Sequence, residues 1–283
     1  MTPFAIAGLQ LALPPSGNED LVIKKIRHTL LRYPWVQMVM LSELAICGAV
    51  TGSAESLPSA LENRLGALAA ELGIWLVNGS LYEKADGKVY NTTTVHAPDG
   101  EVAARYRKMY PFLPYEKGVE CGTGPVVFDV PGVGRFGLSI CYDMWFPETS
   151  RALASMGAEV ILHPTLTGSI DRDVECAMVR ATAAQQQCYM VDINGAGAQA
   201  NGRSIIAGPE GEVVHQAGEV EEIIPVEIDL DRVRRSRERG LMGLGQPLKS
   251  FRDAGHAYPQ EGLANRAQYL DTLGPLAVPK RGA

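Results

Sequence analysis

The chain has 283 residues, 46% of them apolar and 20% charged, with a formal net charge of −6. That is the composition of a globular protein with a sizeable core. The absence of a basic stripe argues against a nucleic-acid partner. No apolar run reaches membrane-spanning length, and five scattered cysteines without a CxxC pair argue for a reducing compartment, the cytoplasm, rather than a disulfide framework.

The opening stretch, MTPFAIAGLQLAL, has no positive leader and no cleavage-like end; it alternates, and residues 4–10 read as a first strand. Residues 20–33 carry apolar side chains at helical spacing. Residues 36–41, VQMVML, form a continuous apolar strand that stops at Ser42-Glu43. A second amphipathic helix is expected over 57–72 and another strand over 74–82. Residues 90–96 alternate and turn through Asp99-Gly100 into 102–108 as a hairpin. Residues 126–130 and 134–141 pair across Pro131-Gly132. Residues 146–156 are helical, 160–162 a buried strand, and 171–187 a long helix. Strands follow at 189–193, 203–207 and 223–228, with turns at 208–211 and near Gly218, then a short helix at 231–238. The basic run there is interleaved with Ser236 and Glu238 and reads as a solvated face.

Alternating strands and helices interrupted by hairpins imply an α/β layered fold with a mixed sheet, its buried strands covered on both faces. No linker precedes about residue 240, so a single domain is expected over 1–240. The segment 241–283, rich in Gly, Pro and charge, reads as an extension packing on the domain or on a neighbouring subunit.

Chemistry concentrates where strands end. In GRFGLSICYDMWFPE, residues 134–148, an apolar strand meets Cys141, and Pro147-Glu148 opens a helix. Such a junction can expose a thiol and aim backbone N–H groups at what it attacks; taken alone, Cys141 reads more readily as a small buried hydrophobe, the commonest fate of a free cysteine. Glu43 follows an apolar strand, Lys108 closes another, and Glu116 lies in the loop MYPFLPYEKG. Each alone reads as a cap or a solvated charge. Together, a carboxylate to take a proton, an ammonium to favour an anion, and a thiol make a workable acyl-transfer site. The five histidines show no metal-ligand spacing, so neither a metal nor another cofactor is expected.

These residues sit in fragments that resemble the nitrilase, or carbon–nitrogen hydrolase, superfamily. The fragments are SELAICG around Glu43, YRKMYPF around Lys108, PYEKG around Glu116 and GLSICYDMWFPE around Cys141. RATAAQQQCYMVDINGAG, NGRSIIAGPEGEVV and EIIPVEIDLDRVRRSR follow in order. The resemblance runs to about residue 240 and implies a four-layer α-β-β-α sandwich, with Glu43, Lys108 and Cys141 as a catalytic triad and Glu116 beside it. Ser42 stands where proline is common, and Met109-Tyr110 where histidine is common; both departures bear on pocket shape. Tyr142-Asp143 after the cysteine looks like the amidase and carbamoylase branches rather than the Trp-Glu of nitrile-cleaving members.

The resemblance therefore implies a thiol-dependent amidohydrolase that turns a small amide into an acid and ammonia through a thioester. Alternatives are an N-carbamoyl compound hydrolase or nitrilase on the same site, acyl transfer to an amine, or, in another class, a non-catalytic thiol sensor or binding scaffold. Tyr142 is expected to lend its backbone N–H to the oxyanion. Tyr115, Trp145, Thr165 and Thr167 fall on loops beside the catalytic strand ends and are expected to line the pocket. Arg172 reads either as an anchor for a substrate carboxylate or as a solvated helix start, and His163 invites a less favoured Cys/His pairing. Assembly into a homo-oligomer is expected through the helices at 146–156 and 171–187.

Overall fold

The structure, a computed structural model, describes residues 1–256 and 275–276. Its layering follows from alternation inside strands that read as uniformly apolar. In β1 (Pro3–Gln10), Phe4 and Ile6 point to one side, and Ala7 and Leu9 to the other. Leu9 meets Val22 and Ile26 of α1 (Glu19–Arg32) in one core. β2 (Met38–Leu41) repeats the pattern, with Met38 and Met40 facing as Phe4 does and Val39 and Leu41 facing the helices. The same helical layer takes Leu61, Leu65 and Leu68 of α2 (Ala60–Leu72). Ser59 starts that helix by accepting the Glu62 N–H, and Gly73 ends it in the left-handed conformation. β3 (Trp75–Val77), β4 (Leu81–Ala85), β5 (Lys88–His96) and β6 (Val102–Arg107) complete this half.

The second half is built likewise from β7 (Val126–Val130), β8 (Gly134–Leu138), α3 (Pro147–Ser155), β9 (Val160–Pro164), α4 (Arg172–Gln186), β10 (Tyr189–Ile193), β11 (Ile205–Ala207) and β12 (Val213–Gln216). Val160 and Leu162 join the core that holds Phe4, while Ile161 faces α3 and α4. β13 (Glu222–Asp229) returns to pair antiparallel with β1, and α5 (Leu230–Arg239) and α6 (Pro247–Ala254) follow.

The result is a seven-stranded sheet, β13-β1-β2-β3-β5-β4 with β6 on β5, packed on a six-stranded sheet, β12-β11-β10-β9-β8-β7. Each carries three parallel strands flanked by antiparallel ones. One core lies between the sheets and one on each outer face, so the layers run helix, sheet, sheet, helix. The sheets approach closely at Gly8, where a Cβ would fall 2.1 Å from Ile193 Cδ1. This is the α-β-β-α sandwich expected from the sequence.

Several boundaries differ from expectation. The strand expected over 74–82 is two strands, β3 and β4, lying along the same edge of β5. The break falls at Gly79, which has φ +73° and whose Cβ would lie 1.8 Å from Ser42 O. The kink brings Ser80 Oγ to the Leu44 N–H at 3.0 Å, pinning the loop that follows β2. The helix expected from residue 57 starts at Ala60. β8 ends at Leu138, before the cysteine, and β12 had no strand signal. Beyond residue 240 the chain forms α6, with Pro247 in its first turn, packed on α4; Phe251 lies 4.9 Å beneath the Arg151 guanidinium. The rest of the expected extension, 257–274 and 277–283, lies outside the described residues. Among the described residues no helix is long and apolar enough to cross a membrane.

Candidate active site

The ends of parallel strands in both sheets open on one side, the position where α/β sheets gather ligands. Glu43 stands two residues past β2, held by its N–H to Thr165 O at 3.2 Å. Lys108 follows β6, its N–H on Asn91 O at 2.8 Å. Cys141 opens a single 3₁₀ turn, Cys141–Trp145, after β8, with φ +45°, a left-handed conformation that an L-residue adopts at a cost. Asp143 holds that turn. Its carboxylate accepts the Ile140 N–H at 2.9 Å, the Tyr110 N–H at 2.8 Å and the Tyr106 hydroxyl at 2.7 Å.

Around Lys108 the contacts are short and buried. Its Nζ donates to Glu43 Oε1 at 2.8 Å and to Glu116 Oε2 at 2.7 Å. Asn91 Nδ2 bridges the same two carboxylates, at 2.8 Å to Glu43 and 3.0 Å to Glu116. Glu116 is further held by the Phe112 N–H at 2.6 Å and the Tyr82 hydroxyl at 3.3 Å. The Glu43 carboxyl and the Leu166 backbone N–H lie close enough to the Cys141 thiol to act on its protonation. The four residues brought together are thus Glu43, Lys108, Glu116 and Cys141.

The electrostatics set protonation states. Burial pushes the Glu43 carboxyl up, against the pull of Lys108. Burial works to lower the Lys108 ammonium, but Glu43, Cys141 and Glu116 outweigh it and hold it well above its ordinary value. Burial likewise works to raise Glu116, and there Lys108 and the hydrogen bonds from Phe112 and Asn91 win and keep it low. Cys141 is pushed far above the usual thiol range by burial and by the Glu43 charge. The resting group is therefore a thiol beside a charged lysine and a carboxylate whose basicity burial has raised.

Cys141 lies in the wall of a cavity of about 440 Å³, lined also by Phe112, Tyr142, Trp145, Thr167 and Glu175. Of the wall residues expected from sequence, Tyr142, Trp145 and Thr167 line it. Tyr115 does not: it is 59% exposed and stacks outside on Phe112, with ring centroids 4.9 Å apart. Phe112 fills the wall position instead. Thr165 is buried behind the wall and serves through its carbonyl, which receives the Glu43 N–H.

Arg172 is neither a carboxylate anchor nor a solvated helix start. It is 1% exposed, and its guanidinium donates to Asp192, to Glu175 Oε2 at 3.2 Å and to Arg203 O at 2.8 Å. His163 is buried with Nδ1 3.0 Å from Ser139 Oγ. Burial lowers it to about 3, so it is neutral at ordinary pH. Sequence reasoning missed Asn91, Asp143 and Glu175. Asp143 carried a local signal, an acid two residues past the cysteine at a turn; Asn91 and Glu175 sit in a strand and a helix with nothing local to mark them. Among the described residues no group of histidine, cysteine and carboxylate side chains is placed to hold a metal ion.

Residues 7–238 match the family model described as carbon-nitrogen hydrolase. The chain is 32% identical over 204 residues to the omega-amidase NIT2 of Homo sapiens, covering 66% of this chain and 72% of that protein. It is 29% identical over 262 residues to the deaminated glutathione amidase of a Synechocystis strain, covering 84% and 96%. Among solved structures, Saccharomyces cerevisiae Nit3, described as a member of branch 10 of the nitrilase superfamily, superposes with a TM-score of 0.77 at 26% identity, covering 84% of this chain and 94% of that one. An amidase from Nesterenkonia superposes with a TM-score of 0.72 at 26% identity, covering 83% and 94%.

Proposed function

This chain belongs to the carbon–nitrogen hydrolase family, and from that premise we propose that it hydrolyses the C–N bond of a small linear amide, releasing a carboxylic acid and ammonia through a thioester on Cys141. The observation that carries the reading is the convergence of a lysine ammonium, a high-pKa carboxylate and a thiol, with the thiol in the wall of a cavity.

Glu43 acts as general base. Because burial holds Cys141 as a thiol, the proton must leave as sulfur attacks, and a carboxylate with raised pKa beside that thiol is suited to take it. The sulfur adds to the amide carbon. Negative charge grows on the carbonyl oxygen, where Lys108 Nζ and the Tyr142 backbone N–H stabilise it. Protonated Glu43 then gives its proton to the leaving nitrogen, and ammonia departs. Water, deprotonated by the same carboxylate, attacks the thioester, and the thiol is restored as the acid leaves. Glu116 and Asn91 keep Lys108 charged and aimed throughout.

The thiol's high pKa also weighs against a redox sensor, which needs a thiolate to react with oxidants. A neutral His163 bonded to Ser139 weighs against a Cys/His pairing. The test is ammonia release from a panel of short amides, nitriles and N-carbamoyl compounds by the intact protein and by Cys141→Ala. Release from amides that the variant loses supports the reading. An equally active variant, or an intact protein that cleaves nitriles or carbamoyl compounds but no amide, removes it.

A further inference from the structure

The cavity beside Cys141 has a chemical bias that the reaction itself does not require. Of its wall residues, Asp171 and Glu175 are the acidic ones, and no lysine or arginine lines it among the described residues. The nearby cations are already committed. Lys108 is held by Glu43 and Glu116. Arg172 lies behind Glu175, bound to it, to Asp192 and to a backbone carbonyl. Arg172 with its two carboxylates leaves one net negative charge at the foot of the cavity, and Asp171 adds a second.

Glu175 is 4% exposed, its Oε1 accepting the Thr167 hydroxyl at 3.1 Å and its Oε2 accepting Arg172 at 3.2 Å. A carboxylate oxygen accepts more than one hydrogen bond, so both retain capacity for a further donor. Three aromatic rings line the same cavity. Phe112 and Tyr142 have centroids 4.9 Å apart, and Tyr142 and Trp145 have centroids 6.2 Å apart. Ring faces beside a buried carboxylate attract a cation and exclude water from it. An anionic substrate would meet like charge.

We propose that the substrate amide carries a cationic group, an ammonium at the far end of its acyl chain, held between Glu175 and the faces of Phe112, Tyr142 and Trp145. This rests on the amidase reading only in making the occupant an amide; the charge preference is a property of the cavity.

Three amides of matched length test it: γ-aminobutyramide, valeramide and glutaramic acid. Calorimetric titration into Cys141→Ala, with Cys141→Ser in reserve should the first not fold, reads binding without turnover. The cation is expected to bind at least ~10-fold tighter than the neutral amide, a difference of one ion pair in a desolvated site. The anion is expected to bind weakest. Adding Glu175→Gln should shrink the ratio of neutral to cationic dissociation constants toward one; a ratio taken within one variant is insensitive to lost folded protein. Glutaramic acid binding as tightly as γ-aminobutyramide, or a ratio that Glu175→Gln leaves unchanged, overturns the proposal. Ammonia release by the intact enzyme is scored separately. A charge preference with no amide turned over removes the amidase reading alone, and equal turnover and binding of all three removes the charge preference alone.

Discussion

Lys108 and Arg172 are each 1% exposed, and each lies between two carboxylates, Glu43 and Glu116 around the lysine, Asp192 and Glu175 around the arginine. The difference lies in the cation. The guanidinium is a rigid fork, spent on two carboxylates and the Arg203 carbonyl. The ammonium is a compact charge that can re-aim one donor toward an oxygen that becomes negative only during reaction. The lysine cluster also adjoins a left-handed Cys141 and a carboxyl pushed up by burial, whereas the arginine cluster underlies the cavity floor and the start of α4. On the proposed mechanism the same charge plan serves chemistry in one place and shape and polarity in the other.

The contrast breaks most sharply at the two cations. Lys108→Met should lower kcat/KM for an amide by at least ~10³-fold, the scale of losing an oxyanion donor. It should also destabilise the fold by about 3–5 kcal/mol, because the buried Glu43 and the partly buried Glu116 lose their counter-ion. Arg172→Met should cost a similar stability, read by denaturant titration, while Cys141 in the folded fraction is alkylated at an unchanged rate. Equal damage to thiol reactivity from both would erase the distinction. Glu116→Gln keeps the shape and removes one charge; activity should fall ~10²-fold with the fold retained, measured by ammonia release and thermal melting.

A pH profile sharpens the comparison inside the lysine cluster. Glu43 is raised by burial and Glu116 is lowered by its partners. On the proposed mechanism activity needs ionised Glu43, so kcat/KM should fall, as pH drops, at a value above the usual carboxylate range. Stability runs the other way for the same group. A carboxyl with a raised folded pKa contributes stability at low pH that is lost as pH rises through that pKa. Glu43→Gln should therefore abolish turnover while its melting temperature at neutral pH holds or rises. Glu116 contributes stability above its unfolded pKa that is lost as pH falls through its lower folded one, so Glu116→Gln should lower the melting temperature at neutral pH. The smallest effect is expected at Asp143→Asn, about 1–3 kcal/mol, since an amide nitrogen cannot accept one of the three hydrogen bonds that hold the cysteine turn.

What the sequence made legible divides along the same line. Runs such as MVML at 38–41 and VIL at 160–162 announce their strands by unbroken apolar character, and the polar residues stranded at such ends are conspicuous. Glu43 and Cys141 stood out for that reason. Non-local pairing was not legible. Arg172 reads as a solvated helix start or a carboxylate anchor because Asp192 lies on β10, beyond the end of α4, and reaches it only through the fold. Asn91 sat inside an alternating strand, where an inward asparagine looks like an outward one. The break at Gly79 depends on the approach of Ser42, a contact between separate strands. α6 was hidden because a short helix in a Gly- and Pro-rich segment offers only two turns of pattern.

The central claim, that Cys141 carries the acyl group, is tested most directly by acid-quenching the enzyme during turnover of a slowly cleaved amide and weighing its peptides. The account predicts an added mass equal to the acyl group on the peptide holding Cys141, removed by hydroxylamine and absent from Glu43→Gln. Ammonia released while that sulfur stays bare at every time point, or an acyl group found on another residue, would contradict it.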